Sequence, residues 1–350
     1  MRDGFGREID YMRISVIDSC NLNCYYCNPC DNNEHCHALN ILSVKEVLCI
    51  VRAATRLGIK HFRLTGGEPL LHPQLDEMVL QIKKIPGVSS VSLTTNAVLL
   101  AQHAKWLKEA GIDSINVSLD TIDASEYERI TKKPLLEEVK HGINAAIECG
   151  IRVKINVVLT PQTDVVALTR YVAKKGTDIR FIEMMPVGEG HTNGVEPYKK
   201  VIGTLSKLYG EPCRINTEKT KEINSGNDKR KIPDNGPAEY YIFPELGIRV
   251  GLIQAIHGKF CATCNRIRVT ADGRLMPCLG SSVTMDLVPD SCEFTDDLEK
   301  DFVIVQALKA AIKAKPRCHN FNDNTVAYTK ATETKAAEVN AARNMSRIGG

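Results

Sequence analysis

The sequence predicts an α/β fold built on a parallel sheet, either an open doubly wound sheet or a partial barrel. Three observations carry that expectation. Over residues 1–185, short β-rich apolar runs alternate with longer amphipathic stretches, the pattern of repeated βα units. Gly58, Gly111, Gly150 and Gly176 stand where left-handed residues would end four of the helices. Cysteines, glycines and polar residues gather just past the ends of the strands, where such folds place their chemistry.

Taken in order, the first strand covers 11–17 and is followed by Cys20, Cys24 and Cys27. A helix over 43–57 opens on Ser43 with Glu46 three residues on, a capping box. The second strand, 61–65, runs into Gly66-Gly67-Glu68-Pro69, and a helical pattern follows over 73–84. The third strand, 91–95, ends in Thr94, Thr95 and Asn96 and precedes a helix over 99–110. The fourth, 114–119, ends at Ser118 and Asp120, with a helix over 136–149 beyond it. The fifth strand covers 152–159 and the helix after it 164–175; the sixth, 179–183, leads to Glu183 and Met185.

Past Gly188 the pattern changes. Residues 217–235 are charged and loop-like, and the strands shorten to 240–243, 248–252 and 267–270. Ala271-Asp272-Gly273 marks a hairpin turn, and a helix is expected over 297–313. From Pro316 the chain is rich in Ala, Asn, Thr and Lys and builds little core. The expected division is a barrel over 1–190, a C-terminal α+β region over 191–315 and an extended tail over 316–350.

Composition bounds the function. A chain of 350 residues, 43% hydrophobic and 25% charged, is an ordinary globular protein of roughly two domains. It has no apolar run long enough for a membrane helix, and its start, MRDGFGREIDYMR, lacks a secretory h-region. Lys and Arg number 45 against 42 Asp and Glu, a net charge of +3, too weak a bias for a nucleic-acid or membrane-surface binder. The expectation is a cytoplasmic protein.

The 13 cysteines stand out. An odd count without an export signal argues against a disulfide framework and leaves metal binding, catalysis or packing. Cys20, Cys24 and Cys27 form C-x3-C-x2-C, and Cys261, Cys264 and Cys278 form C-x2-C-x13-C. Structural zinc sites use four N or S ligands. Three cysteines without a fourth suit a [4Fe–4S] cluster with one iron open to a small molecule, a departure from four-cysteine ligation. For the second trio, zinc remains an alternative on spacing alone. Cys30, His35, Cys36 and His37 read as incidental loop residues.

The first cysteine trio, with Tyr26 before its last member, resembles the cluster loop of the radical S-adenosylmethionine (SAM) superfamily, and Thr65-Gly66-Gly67-Glu68-Pro69 resembles that superfamily's SAM loop. Asn116-Val117-Ser118-Leu119-Asp120, Arg180-Phe181-Ile182-Glu183, the run from Cys261 through Arg266, Ile267, Arg268 and Arg274 to Cys278, and the terminal Gly349-Gly350 narrow the resemblance to the GTP 3′,8-cyclase family of molybdenum cofactor biosynthesis. It covers nearly the whole chain and implies a partial (βα)6 barrel with a C-terminal α+β extension closing its mouth.

The resemblance implies two [4Fe–4S] clusters and SAM as cofactors. Cys20, Cys24 and Cys27 would hold the cluster that binds and cleaves SAM. Tyr26, Gly67, Ser118 and Met185 would contact SAM, Gly67 because a glycine admits close approach. Cys261, Cys264 and Cys278 would hold a second cluster that binds the guanine of GTP. Arg266 and Arg268, two apart on one strand, would present both guanidiniums to the triphosphate. Arg13, Arg63, Thr94, Lys154 and Ile267 complete the implied GTP contacts, and Gly349 and Gly350 would enter the site as a slim catalytic tail. Both clusters are expected at one rim, bracketing a cavity. The implied partners are GTP, an electron donor and a downstream cyclic pyranopterin synthase, with a homodimer as the assembly. Asn28, His61 and Leu71-His72-Pro73-Gln74 depart from the family pattern. A radical SAM enzyme acting on a peptide and a metal-binding module without activity are the competing readings.

Overall fold

The structure, a computed structural model, describes residues 1–27, 40–187, 195–215, 236–281, 283–287, 297–319 and 321. Six βα units come first: β1 (Tyr11–Ser15), α1 (Val44–Arg56), β2 (His61–Thr65), α2 (Leu75–Lys83), β3 (Ser90–Thr95), α3 (Leu100–Glu109), β4 (Ser114–Ser118), α4 (Ala124–Thr131), α5 (Leu136–Glu148), β5 (Val153–Leu159), α6 (Val165–Lys174) and β6 (Asp178–Glu183). The C-terminal region adds α7 (Gly203–Tyr209), β7 (Cys213–Arg214), β8 (Glu239–Ile242), β9 (Arg249–Ile253), β10 (Arg266–Val269), β11 (Arg274–Met276), β12 (Met285–Asp286) and α8 (Asp297–Lys313). Among the described residues, no helix is long and apolar enough to cross a membrane.

Local chemistry explains the helix ends. Ser43 and Glu46 exchange the two bonds of a capping box, Glu46 N to Ser43 Oγ at 3.3 Å and Ser43 N to Glu46 Oε2 at 2.8 Å. Gly58, Gly111, Gly150 and Gly176 all have positive φ, 64–89°, as left-handed helix ends require. The sequence reading missed α4, whose exposed face is polar. Asp123 caps it, accepting from Glu126 N at 2.8 Å, and Lys132 ends it in the left-handed region.

All twelve strands form one sheet, in the order β12-β11-β10-β1-β2-β3-β4-β5-β6-β9-β8-β7. From β10 through β9 the strands are parallel, and antiparallel strands flank them at both edges. The C-terminal region is thus built into the barrel sheet and continues it from both edges. The segment 254–265 joins the C-terminal end of β9 to the N-terminal end of β10 across the space between those edges.

The strands alternate with period two. Met12, Ile14, Phe62, Leu64, Val91, Leu93, Ile115, Val117, Ile155, Val157, Ile179 and Phe181 are essentially inaccessible and join one hydrophobic core with the helices. The alternate positions, Arg13, Arg63, Thr94, Asn116, Lys154 and Arg180, line one cavity. A parallel sheet covered on both faces normally carries apolar residues on both. Here the inner face is polar and cationic, and it lines a cavity rather than a second packed core.

Gly142, in α5, packs where a Cβ would lie 2.3 Å from the carbonyl oxygen of Ala97, a residue itself at φ 66°. Glycine-to-alanine changes in helices otherwise stabilise, so the sign is diagnostic. Gly142→Ala is expected to lower the unfolding free energy in urea by about 1–3 kcal/mol through overpacking. A gain in stability would show that α5 does not press on the end of β3 this closely.

Candidate active site

At the C-terminal ends of β1 and β2 the parallel pairing continues beyond the strands. Val16 N donates to Thr65 O (2.9 Å), Gly67 N to Ile17 O (2.7 Å) and Glu68 N to Ser19 O (2.8 Å). The two chains run so close that a Cβ on Gly66 would lie 2.3 Å from Ile17 O, and one on Gly67 would lie 2.1 Å from Ser19 O. The close approach that requires glycine here is to the backbone leading into the cysteine loop. Gly67 also borders the cavity.

Glu68, fully buried, accepts from Leu70 N (3.0 Å), Thr95 Oγ1 (2.7 Å) and Asn96 N (2.7 Å). Burial pushes its carboxyl up to about 7 against the pull of those donors. Asn96 Nδ2 in turn donates to Asn21 Oδ1 at 2.7 Å and lies 3.8 Å from Cys20 Sγ. A second relay starts at Tyr26, whose hydroxyl donates to Asp120 Oδ2 at 2.5 Å, while Asp120 Oδ1 accepts from Val158 N at 2.7 Å. The cysteine loop is therefore tied to the ends of β2 through β5. Burial, aided by Glu68, pushes the Cys20 thiol up to about 11, and burial with the neighbouring Cys27 raises Cys24. These thiols keep their protons until a metal centre displaces them.

The second trio lies at the other end of the barrel. Arg266 pairs with Tyr11, the first residue of β1, and Arg268 pairs with Met276. Cys264, two residues before Arg266, and Cys278, two after Met276, accordingly flank the N-terminal ends of the strands. This corrects the expectation that both trios share one rim. β10 is parallel to β1, but its cysteine loop precedes the strand, whereas Cys20–Cys27 follow theirs. Lys315 joins the two arms, donating to Arg266 O (2.8 Å) and Pro277 O (2.9 Å). Burial would raise the Cys264 thiol, yet Arg266 and Lys315 bring it down to about 7.

All six cysteines line the same cavity of about 370 Å³. Between them stand Arg13, Arg63, Arg152, Lys154, Arg180, Arg266 and Arg268. Arg63 donates to the Tyr11 hydroxyl, to Leu93 O (3.3 Å) and to Thr94 Oγ1 (3.4 Å). Burial and then Arg266 push Arg268 down to about 10, and burial with Arg268 lowers Arg13 well below the usual arginine range. Burial raises the Tyr11 phenol, but Arg63 and Arg13 outweigh it and lower it. Such crowding of buried like charges favours a polyanion.

One wall is closed by the crossing segment. Glu183 Oε2 accepts from Ile256 N at 2.7 Å, and its other oxygen meets the His257 imidazole. His319 Nε2 donates to Ala255 O at 2.7 Å.

Most residues singled out in the sequence converge here. Tyr26, Ser118, Met185, Arg13, Arg63, Thr94, Lys154, Arg266 and Arg268 line the cavity with the cysteines and Gly67. Ile267 does not: it is buried in the outer hydrophobic core, as alternation along β10 demands. Gly349, Gly350, Asn28, Cys30, His35, Cys36 and His37 lie outside the described residues. Sequence reasoning passed over Arg152 and Lys315 and gave Glu68, Asn116, Arg180 and Asp120 no individual role. Asn116 Oδ1 is buried at the cavity wall with no hydrogen-bond partner among the described residues. The signal for these residues was polar side chains at the inward parity of otherwise apolar strands. Two departures from the family pattern have local duties: His61 Nδ1 pairs with Ser90 Oγ (2.8 Å), and His72 Nε2 donates to Leu42 O (2.9 Å).

The six thiols fit iron–sulfur ligation. They are sulfur donors, the donor type such clusters use, and they line a shared cavity as two trios.

The chain is similar to known proteins over nearly its full length. Residues 14–167 match the Radical SAM superfamily and residues 177–321 match Molybdenum Cofactor Synthesis C. The chain is 36% identical over 324 residues to a GTP 3′,8-cyclase of Clostridium perfringens (strain SM101 / Type A), covering 92% of this chain and 95% of that protein. It is 34% identical over 357 residues to a GTP 3′,8-cyclase of Petrotoga mobilis, covering 100% of both. Among solved structures, Streptococcus suis SuiB bound to S-adenosylmethionine aligns with a TM-score of 0.57 at 15% identity, over 88% of this chain and 68% of that one. Native anSMEcpe with bound AdoMet aligns with a TM-score of 0.51 at 17% identity, over 77% and 74%. These two structures share the fold, a radical SAM partial barrel.

Glu68 yields a pH prediction. Its folded-state pKa exceeds its unfolded value of 4.5, so between there and about 7 the native state keeps a proton that the unfolded chain has released. Its contribution to stability is therefore present below that window and lost as pH rises through it. In the apoprotein, urea midpoints measured from pH 4.5 to 7.5 should fall more steeply for wild type than for Glu68→Gln. Parallel profiles would mean that Glu68 is ionised throughout.

Proposed function

The chain belongs to the GTP 3′,8-cyclase family of the radical SAM superfamily, and we propose that its two cysteine trios divide the family's reaction between the two ends of one cationic cavity. The reaction is the radical cyclisation of GTP in molybdenum cofactor biosynthesis. A [4Fe–4S] cluster with SAM supplies the radical chemistry when bound. Cys20, Cys24 and Cys27 hold that cluster, on a loop fixed by the Gly66-Gly67 seam. Tyr26, Gly67, Ser118 and Met185 surround the SAM position, with Tyr26 oriented by Asp120.

The opposite end is assigned to the guanine. Cys261, Cys264 and Cys278 hold a second [4Fe–4S] cluster with an open iron there. Arg13, Arg63, Arg266 and Arg268, on three adjacent strands, take the triphosphate, and Lys154 and Thr94 hold the sugar end from the facing strands. Paired forked guanidiniums suit phosphate oxygens better than point charges do. Asn116 offers a buried acceptor in the same wall. A separate electron donor, transfer of the product to cyclic pyranopterin synthase and a homodimeric assembly complete the reading. The catalytic assignment of Gly349 and Gly350 rests on the sequence resemblance.

The observation that carries this reading is the run of seven cationic side chains between two cysteine trios in one cavity. The test is Cys264→Ala, prepared and assayed without oxygen. Iron should fall from about eight to about four per chain, since each cluster contributes four. Cleavage of SAM should persist while cyclised nucleotide disappears. Normal product, or unchanged iron, would leave the second trio a structural role only.

A further inference from the structure

Cys318 lies outside both trios, yet the fold places it beside the second. The guanidinium of Arg7 clamps two separate stretches of chain: its Nη1 donates to Cys261 O (2.8 Å) and to Arg317 O (3.1 Å), and its Nη2 donates to Pro316 O (2.7 Å). Asp3 holds that arginine, accepting from its Nε at 2.6 Å, and both side chains are buried. The backbone N–H of His319 donates to the Cys261 sulfur, and the Cys261 and Cys318 thiols are near enough to interact electrostatically. His319 is pinned by its bond to Ala255 O, and its Cβ packs against Gly280, two residues past Cys278. The 316–319 strap is thus fixed beside the second trio, with His319 itself on the cavity wall. Cys318 is exposed there, while Cys261 is partly buried and faces the cavity.

We propose that Cys261 and Cys318 form a reversible disulfide when the second trio carries no cluster, withdrawing one ligand and closing that end of the site to cluster insertion. The exposed thiol is the entry point. With a small-molecule disulfide such as glutathione disulfide, the Cys318 thiolate attacks one sulfur and releases one glutathione thiolate, leaving a mixed disulfide. The Cys261 thiolate then attacks the Cys318 sulfur and releases the second. Two protein thiols are oxidised, one glutathione disulfide is reduced to two glutathione molecules, and the two thiol protons pass to them. Dithiols reverse the sequence. A bound cluster would occupy the Cys261 sulfur and block the second step. The ligand-withdrawal part of this proposal rests on the reading of Cys261 as a cluster ligand; the disulfide itself does not.

The experiment uses full-length apoprotein, reduced and desalted, then exposed anaerobically to glutathione disulfide. Digestion without reduction should yield a peptide pair joining Cys261 to Cys318, absent from Cys318→Ser. On later reconstitution, oxidised wild type should load about half the iron of reduced wild type, about four instead of about eight per chain, with recovery after dithiothreitol. Cys318→Ser should load equally well before and after the oxidant. A dominant Cys261–Cys264 or Cys264–Cys278 link, or no link to Cys318, overturns the proposal. Equal loss of iron uptake in Cys318→Ser also overturns it. If reduced wild type loads only one cluster's iron, the second-cluster reading fails and the ligand-withdrawal role with it, while the digest still reports on the disulfide.

Discussion

The site depends on a seam with no room for a side chain. Gly66 and Gly67 run against residues 17–19 at distances that exclude even a methyl group, and the backbone bonds there extend the β1–β2 ladder into what would otherwise be a free loop. That extension fixes the start of the cysteine loop to the sheet. It also carries Glu68 to the point where its carboxylate gathers the end of β3, and Asn96 returns the connection to Asn21. A substitution in the seam would disturb the cysteine loop, the buried carboxylate and the end of β3 together, because each is positioned by the one before it.

The second constraint is electrostatic. The helices cover the outer face of the sheet with an apolar core, so the inner face is free to be polar. Crowding Arg13, Arg63 and Arg266 around the buried Arg268 is unfavourable for the protein alone, as the lowered pKa values of Arg13 and Arg268 indicate. A polyanion converts that repulsion into binding energy. The cavity joins two chemically distinct ends: a glycine-seamed rim where burial raises the Cys20 and Cys24 thiols, and a cation-rich rim where Arg266 and Lys315 lower Cys264.

Much of this was legible in the sequence. The six βα units, the Ser43 capping box, the four helix-ending glycines, the 271–273 turn and the 297–313 helix all follow from local patterns, and the structure contains each of them. The cysteine spacings and the strand-end residues located the chemistry. What spacing could not convey was direction. Whether a cysteine loop enters or leaves its strand decides which end of the barrel it occupies, and only the β1–β10 pairing shows that Cys264 precedes a parallel strand. Alternation along 152–156 and at Arg180 carried the missed cations, but an isolated Arg or Lys in a strand reads as an exposed residue until the sheet is known to curl. Gly67, singled out for approach to a ligand, borders the cavity and is also pressed against the chain's own backbone at Ser19, a contact that spacing could not reveal.

The claim that the cavity's cations select a triphosphate is tested most directly by anaerobic calorimetry of GTP and guanosine binding to the cluster-loaded wild type, Arg268→Ala and Arg268→Lys. A charge-assisted contact of about 1.5–3 kcal/mol corresponds to roughly ten- to hundred-fold weaker GTP binding in the alanine variant, at about 1.4 kcal/mol per tenfold. Lysine should recover part of that loss, and guanosine affinity should be the same in all three proteins. An Arg268→Ala variant that keeps its iron and binds GTP as tightly as wild type would contradict the account.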